Sequence, residues 1–164
     1  MIDLRWKAFS AAAAVFALDR LTKWIVESKV SFIDSHTVIP GFFDIVHSQN
    51  SGVAFGMLSQ GDWPWRTWLL IALSLVASVV ISVMLWRGRD LNKRTAFALA
   101  FILGGATGNL VDRVVSGKVT DFLLVYVGQY QWPTFNIADS GIVVGSGLLI
   151  LDLLLSKKRA ANVP

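Results

Sequence analysis

Twenty consecutive residues, Thr67 to Trp86, carry no charge. A helix of ~20 apolar residues spans the hydrocarbon core of a bilayer. Lipid offers no partner for backbone N–H and C=O groups, so a spanning segment must satisfy them internally, and a helix does so. Thr95 to Val111 adds 17 more uncharged residues. Two further segments reach spanning length once buried charges are admitted: Ala8 to Val26, interrupted by Asp19, Arg20 and Lys23, and Pro133 to Leu155, interrupted by Asp139 and Asp152. The sequence therefore predicts an all-α membrane protein of four transmembrane helices, at approximately 8–26, 67–86, 95–111 and 133–155, within a single integral membrane domain, 1–164. Composition agrees: 54% of residues are hydrophobic and 16% charged, against roughly 25% charged in soluble domains. The same figures exclude disorder, collagen and coiled coil. With no cysteine, disulfides, thiolate metal sites and cysteine nucleophiles are excluded as well.

A net charge of +4 would suit a nucleic-acid partner, but the positions of the charges point to a membrane. Arg5 and Lys7 precede the first span, Arg87, Arg89, Lys93 and Arg94 separate the second from the third, and Lys157, Lys158 and Arg159 follow the fourth. The other two loops, roughly 27–66 and 112–132, hold only Lys29, Arg66, Arg113 and Lys118. The positive-inside rule then places both termini in the cytoplasm and these two loops outside. Basic residues followed by the apolar run Ala8 to Leu18 also fit a cleaved signal peptide. Its removal would leave the other spans oriented as before, so topology does not choose between the two.

The outer loop 27–66 is longer than a connector needs to be. Thr37 to Ile39 and Phe42 to His47 flank Pro40-Gly41 and read as short strands about a turn, with His36 and His47 as solvated or strand residues. Ser51-Gly52 is a second turn signal. Trp63, Trp65 and Trp68 suit a membrane–water interface. The expectation is a small extracytoplasmic β-rich region, with residues 31–61 covering a substrate.

A charge within a bilayer costs at least ~2.5 kcal/mol and usually marks function. Asp19 lies twelve residues beyond Lys7, about 18 Å along a helix at ~1.5 Å per residue, past the midplane toward the outside. Asp112 and Arg113 end the third span, Asp121 follows, and Asp139 is six residues into the fourth. All these acids fall in the outer half. Gly105, Asn109, Asp112 and Arg113 share one helix face, as do Asn136 and Asp139. Gly104 with Gly108, and Gly141 with Gly145, suit close helix packing. Asp19 and Lys23, four apart, read as a supporting pair. Asp152, near Lys157 and Lys158, reads as snorkelling or paired. Asp139 has no cation three or four residues away, and Asp121 has only Lys118, which lies outside any span, so pairing on a helix face does not explain them.

No histidine lies in a span and no H-E-x-x-H occurs, which removes the serine–histidine and zinc routes to hydrolysis. Two carboxyls in a low-dielectric site share a proton. The ionised one can activate water while the protonated one donates to a substrate carbonyl, with no covalent intermediate. Asn50, Asn109, Arg113 and Asn136 can supply hydrogen bonds. Buried acids also serve proton-coupled carriers, the alternative reading, although no inverted repeat is visible. A metal-dependent lipid-phosphate hydrolase is a second enzymatic alternative.

Five blocks then occur in order: Asp19 to Lys23, Asn50 to Phe55, Gly104 to Arg113, Val119 to Phe122 and Phe135 to Asp139. Together they resemble the bacterial lipoprotein signal peptidases (signal peptidase II), with Val53 where that family usually has Ala. The resemblance implies an aspartic endopeptidase of the cytoplasmic (inner) membrane, active toward its outer face. It would remove the signal peptide of a diacylglyceryl-modified prolipoprotein just before the lipidated Cys, with no cofactor or metal and with inhibition by globomycin. It implies Asp121 and Asp139 as the catalytic pair. Asn50, Gly52, Asn109, Arg113, Asn136 and Ala138 would line the site, with Asp19, Lys23 and Asp112 among the binding and supporting residues. It further implies that Ala8 to Val26 is retained as a helix.

Overall fold

Each long helix begins and ends where local chemistry allows. In the computed structural model, which describes residues 3–52, 64–88 and 91–161, α1 (Leu4–Lys29) starts on Asp3, whose carboxylate accepts the Arg5 N–H at 3.0 Å, an N-cap. α2 (Pro64–Arg87) starts on a proline, which lacks only an N–H that the first turn leaves unused. α3 (Lys93–Ser116) is capped by Asn92, which accepts the Thr95 N–H. It stops at Gly117, whose φ of +74° is the left-handed geometry glycine adopts without strain. α4 (Ile137–Ala161) completes the set.

Among the described residues, three stretches are long and apolar enough to cross a membrane: Trp65–Arg87, Lys93–Ser116 and Ile137–Ser156. α1 is of similar length, but Asp19, Arg20 and Lys23 reduce its apolar character. α3 is the central helix and touches the other three. Its glycines explain how. A Cβ on Gly104 would stand 2.5 Å from the Ala12 carbonyl of α1, and one on Gly105 would overlap the Ala138 carbonyl of α4. Gly145 returns the contact, lying against the Ala98 carbonyl. The expected glycine pairs are therefore packing contacts. Ala8, Ala12, Leu85, Ala96, Leu99 and Ala100 form the helical core between α1, α2 and α3. α2 leaves Trp68, Leu73, Val76 and Val79 exposed, the surface that lipid would cover.

Between the helices lies a four-stranded antiparallel sheet in the order β1 (Ser35–Ile39), β2 (Phe43–Asn50), β3 (Val119–Val127) and β4 (Tyr130–Gln131). The β1–β2 hairpin follows the sequence expectation, turning at Pro40-Gly41 with Gly41 at φ +76°. His36 and His47 fall on its strands. His47 is buried, its Nδ1 2.8 Å from the Val30 carbonyl and its ring stacked on Phe32. β3 is new: the segment 112–132 is more than a connection. Val26, Val30 and Phe122 cluster beneath the sheet and tie it to the end of α1. Residues 53–63 lie outside the described residues, and with them Val53, Trp63 and the central part of the expected cover.

Candidate active site

Asp121 is the third residue of β3 and almost fully buried, at 1% exposure. The strand is fixed just before it. The Thr120 N–H approaches Asp112 Oδ2 at 3.4 Å, and the Thr120 hydroxyl donates to Glu27 of α1 at 2.6 Å. Ser48 of β2 pairs with Asp121, and Asn50 pairs with Val119. Asn50 is thus a diagonal neighbour of Asp121, near enough for a side-chain contact. A bulge between Ile45 and Ser48 sets this register, a feature common beside active sites. Asp121 Oδ2 accepts Asn50 Nδ2 at 3.1 Å and Oδ1 accepts Asn136 Nδ2 at 2.7 Å. Burial, and after it the charge of Asp139, push the Asp121 carboxyl up to about 6, against the two amide donors.

Asp139 arrives by a different route. Pro133 cannot donate a backbone hydrogen bond. Phe135 is engaged with the sheet edge, its N–H on Leu123 O and its carbonyl accepting Leu123 N–H at 2.8 Å. The helix cannot begin until these bonds end. α4 consequently starts at Ile137, later than the expected 133, and Asp139 is its third residue and not the seventh. Asn136 is the cap and not a residue on the same helical face. Its Oδ1 accepts the Asp139 N–H at 2.8 Å, while Asp139 Oδ2 receives the Asn136 N–H at 3.3 Å, a reciprocal capping box. Asn136 therefore touches both acids. Asp139 Oδ1 also accepts Asn109 Nδ2 at 2.7 Å. The fully buried Ala138 gives its N–H to Asp19 Oδ1 at 2.9 Å, so α1 helps cap α4.

Below the acids runs a chain of alternating charge. The fully buried Lys23 lies 2.8 Å from Asp19 Oδ2, the expected pair, and 2.7 Å from Asp112 Oδ2. Asp112 also meets Arg20. Arg113 turns the other way, donating to the Gly52 carbonyl at 3.2 Å and to the Asn109 carbonyl, while Gly52 N–H fixes Asn50 Oδ1 at 2.9 Å. Every site residue expected from sequence thus falls within one connected hydrogen-bonded cluster. Sequence reasoning missed Arg20, Glu27 and Thr120. Thr120 had a signal, lying beside Asp121; the other two are found only through contacts between elements. Asp152 is apart from this cluster. It accepts bonds from Asn92, Arg94 and Thr95, a staple between α4 and the start of α3, and its pairing is with Arg94.

Asp121 and Asp139 open on one cavity of about 760 Å³ between α2, α3, α4 and the sheet. Asn50, Asn109 and Arg113 complete its polar end. Leu70, Leu73, Ala77, Ile102, Ile142 and Val143 make the remainder apolar. An apolar cavity with a few convergent polar groups is the usual form of a ligand site.

This architecture is that of a helical membrane enzyme. It superposes on a bacterial membrane enzyme solved by the in meso method at 2.3 Å resolution with a TM-score of 0.85 and 28% identity, covering 96% of this chain and 93% of the other. The sequence model described as Signal peptidase (SPase) II matches residues 11–155. A protein of Solibacter usitatus named lipoprotein signal peptidase is 56% identical over 163 residues, 99% of either chain. One of Geobacter metallireducens with the same name is 41% identical over 158 residues, 96% of each. The chain belongs to the signal peptidase II family and is a peptidase. None of these comparisons supports the carrier reading.

Proposed function

We propose that the chain is an aspartic endopeptidase of lipoprotein maturation, with Asp121 and Asp139 as its catalytic pair. It cleaves the signal peptide from a diacylglyceryl-modified prolipoprotein just before the lipidated Cys. One observation carries the reading: two carboxyls on separate elements, Asp121 buried and Asp139 half-buried, both bonded by Asn136, open on one largely apolar cavity. A signal peptide is an apolar helix, and a cavity opening between apolar helices suits it.

The pair holds one proton, because two close carboxylates cannot both ionise easily. The ionised member takes a proton from a water molecule as its oxygen attacks the scissile carbonyl carbon. The protonated member gives its proton to the carbonyl oxygen. Collapse of the tetrahedral intermediate returns that proton to the carboxyl. The first proton passes to the leaving nitrogen, and the C–N bond breaks. Asn50, Asn109 and Asn136 hold the acids, and Arg113 balances their single negative charge.

Four helices cross the bacterial cytoplasmic membrane as a single integral domain, with both termini cytoplasmic and the sheet outside. The nine basic residues at one set of helix ends support this orientation. α1 joins the three strongly apolar helices as the fourth span because its Asp19 and Lys23 are paired and fully buried within the bundle and its Arg20 is paired with Asp112. Substrate lipid chains stay in the bilayer, and globomycin-type peptides compete at the cavity.

The test is cleavage of a diacylglyceryl-modified precursor by the purified protein and by Asp121→Asn and Asp139→Asn. Loss of a positioned acid or base removes roughly 10²–10⁴-fold, and the double variant should be little worse than either single. A folded single variant retaining above about a tenth of wild-type turnover would remove that residue from the mechanism.

A further inference from the structure

The ammonium of Lys23 has three N–H donors and no acceptor. It is fully buried and meets three acceptors: Asp112 Oδ2 at 2.7 Å, Asp19 Oδ2 at 2.8 Å and Asn109 Oδ1 at 3.0 Å. The first two are charge partners. The third is not, and it is the residue whose amide nitrogen donates to Asp139 Oδ1 at 2.7 Å.

A carboxamide presents an acceptor on one side and donors on the other. Lys23 can only donate, so the carbonyl of Asn109 must face it and the NH₂ must face Asp139. The reversed amide would set two donors against each other at Lys23 and two acceptors against each other at Asp139. Asn136 Nδ2 also approaches Asn109 Oδ1 at 3.3 Å. Its two hydrogens are divided among three acceptors, the nearest being Asp121 Oδ1 at 2.7 Å, with Thr120 O at 3.3 Å. Lys23 is therefore the donor that fixes Asn109. Asn50 and Asn136 are set in the same sense by obligate donors, the N–H groups of Gly52 and Asp139. All three asparagines aim their nitrogens at the acids. Only for Asn109 does that aim depend on a charged side chain in the helical core.

We infer that Lys23 is a positioning residue for the reaction, acting through Asn109 to hold Asp139, beyond its part in neutralising Asp19 and Asp112. This rests on the proposed role of Asp139. A purely structural lysine would lower activity by the same factor whatever stood at 109. A lysine acting through Asn109 would have little further effect once that amide is gone.

The experiment is a double-mutant cycle on the full-length purified protein, scored by cleavage of a diacylglyceryl-modified precursor and by thermal melting. Lys23→Met should lower kcat by about 10²-fold, the scale of a misplaced reacting group, with KM within about 3-fold, since Lys23 does not line the cavity. In the Asn109→Ala background the same change should cost less than about 3-fold in kcat. Equal losses in both backgrounds would overturn the inference, as would a loss confined to KM. Lys23→Met leaves two buried acids short of a partner, so the charge-neutral pair Asp19→Asn with Lys23→Met is run in parallel. Failure of both to fold would assign Lys23 a structural role and overturn the inference. Wild type that does not cleave, or Asp139→Asn that does, would instead overturn the catalytic reading and this inference with it.

Discussion

Asp121→Asn should stabilise the protein progressively as pH rises, while abolishing its activity. The Asp121 carboxyl rises from an ordinary 3.8 to about 6 in the folded chain. A carboxyl raised by folding binds its proton more tightly in the native state, so its stabilising contribution is complete below pH ~4 and is lost as pH climbs toward ~6. Across that window the loss is about 3 kcal/mol, at ~1.4 kcal/mol per pH unit. Asn does not titrate and escapes it. Asn also has one acceptor where Asp121 has two, each engaged by an amide nitrogen, at 2.7 Å from Asn136 and 3.1 Å from Asn50. One of these contacts becomes donor against donor, which costs about 1–3 kcal/mol at every pH. The absolute change at one pH therefore mixes two effects, whereas the slope isolates the first. For a chain of this size ~1 kcal/mol moves Tm by about 2–4 °C. The variant's Tm minus that of wild type should thus climb by about 6–12 °C between pH 4 and pH 7 and then level off. The assay is thermal melting in detergent at a series of pH values. A difference flat to within about 2 °C would refute the argument. Since the charge of Asp139 is the second cause of the raised carboxyl, Asp139→Asn should make the wild-type slope shallower.

Asp19→Ala removes a charge partner of Lys23 and the acceptor for Ala138 N–H; breaking a buried pair costs about 3–5 kcal/mol, so Tm should fall while some cleavage survives. Complete loss of turnover in a folded variant would move Asp19 into the reacting centre. Gly105→Ala drives a Cβ into the Ala138 carbonyl, so it should destabilise the protein by about 1–3 kcal/mol and slow cleavage, because the first turn of α4 carries Asp139; an unchanged Tm would contradict the close approach of α3 and α4. Reporter fusions after Arg94 and after Lys158 should read cytoplasmic, and one near Ser59 external. An external reading at Arg94 would overturn the helix count or the orientation.

The helices were legible because a bilayer leaves few alternatives to a long apolar run, and the acids because a charge within one demands a reason. β3 went unread, although Val119, Thr120, Phe122, Val125, Tyr126 and Val127 carry the β-branched and aromatic side chains of a strand. The charges at Asp112, Arg113, Lys118 and Asp121 break up that pattern. The start of α4 was misplaced for a related reason. Residues 133–155 carry no charge apart from two acids, and hydropathy does not reveal that Phe135 is hydrogen-bonded to β3. The local signal was present: Asn136 and Asp139 stand three apart, the spacing of a capping box. Periodicity within α1 found Lys23 beside Asp19. It could not find Asp112 or Asn109, which reach Lys23 from another helix.

Those contacts between helices bear on why a membrane protein buries so much charge. Asp19, Lys23, Asp112 and Arg20 alternate in sign and sum to zero. Arg113 stands outside that chain, bonded to backbone carbonyls on the rim of the cavity that Asp121 and Asp139 share. These seven side chains are neutral together when the two acids carry one negative charge, the state that general acid–base hydrolysis requires. A second negative charge would be uncompensated in a low-dielectric site, and a second proton would leave Arg113 uncompensated. Ion pairs of this kind contribute little net stability when buried. Their effect here is positional: Asp19 holds the Ala138 N–H, Asp112 holds Thr120, and Lys23 holds Asn109. Each of these contacts lies one residue or one hydrogen bond from an acid of the pair. The charged core of α1 and α3 thereby fixes two carboxyls that arrive on different elements, one from a strand and one from the first turn of a helix.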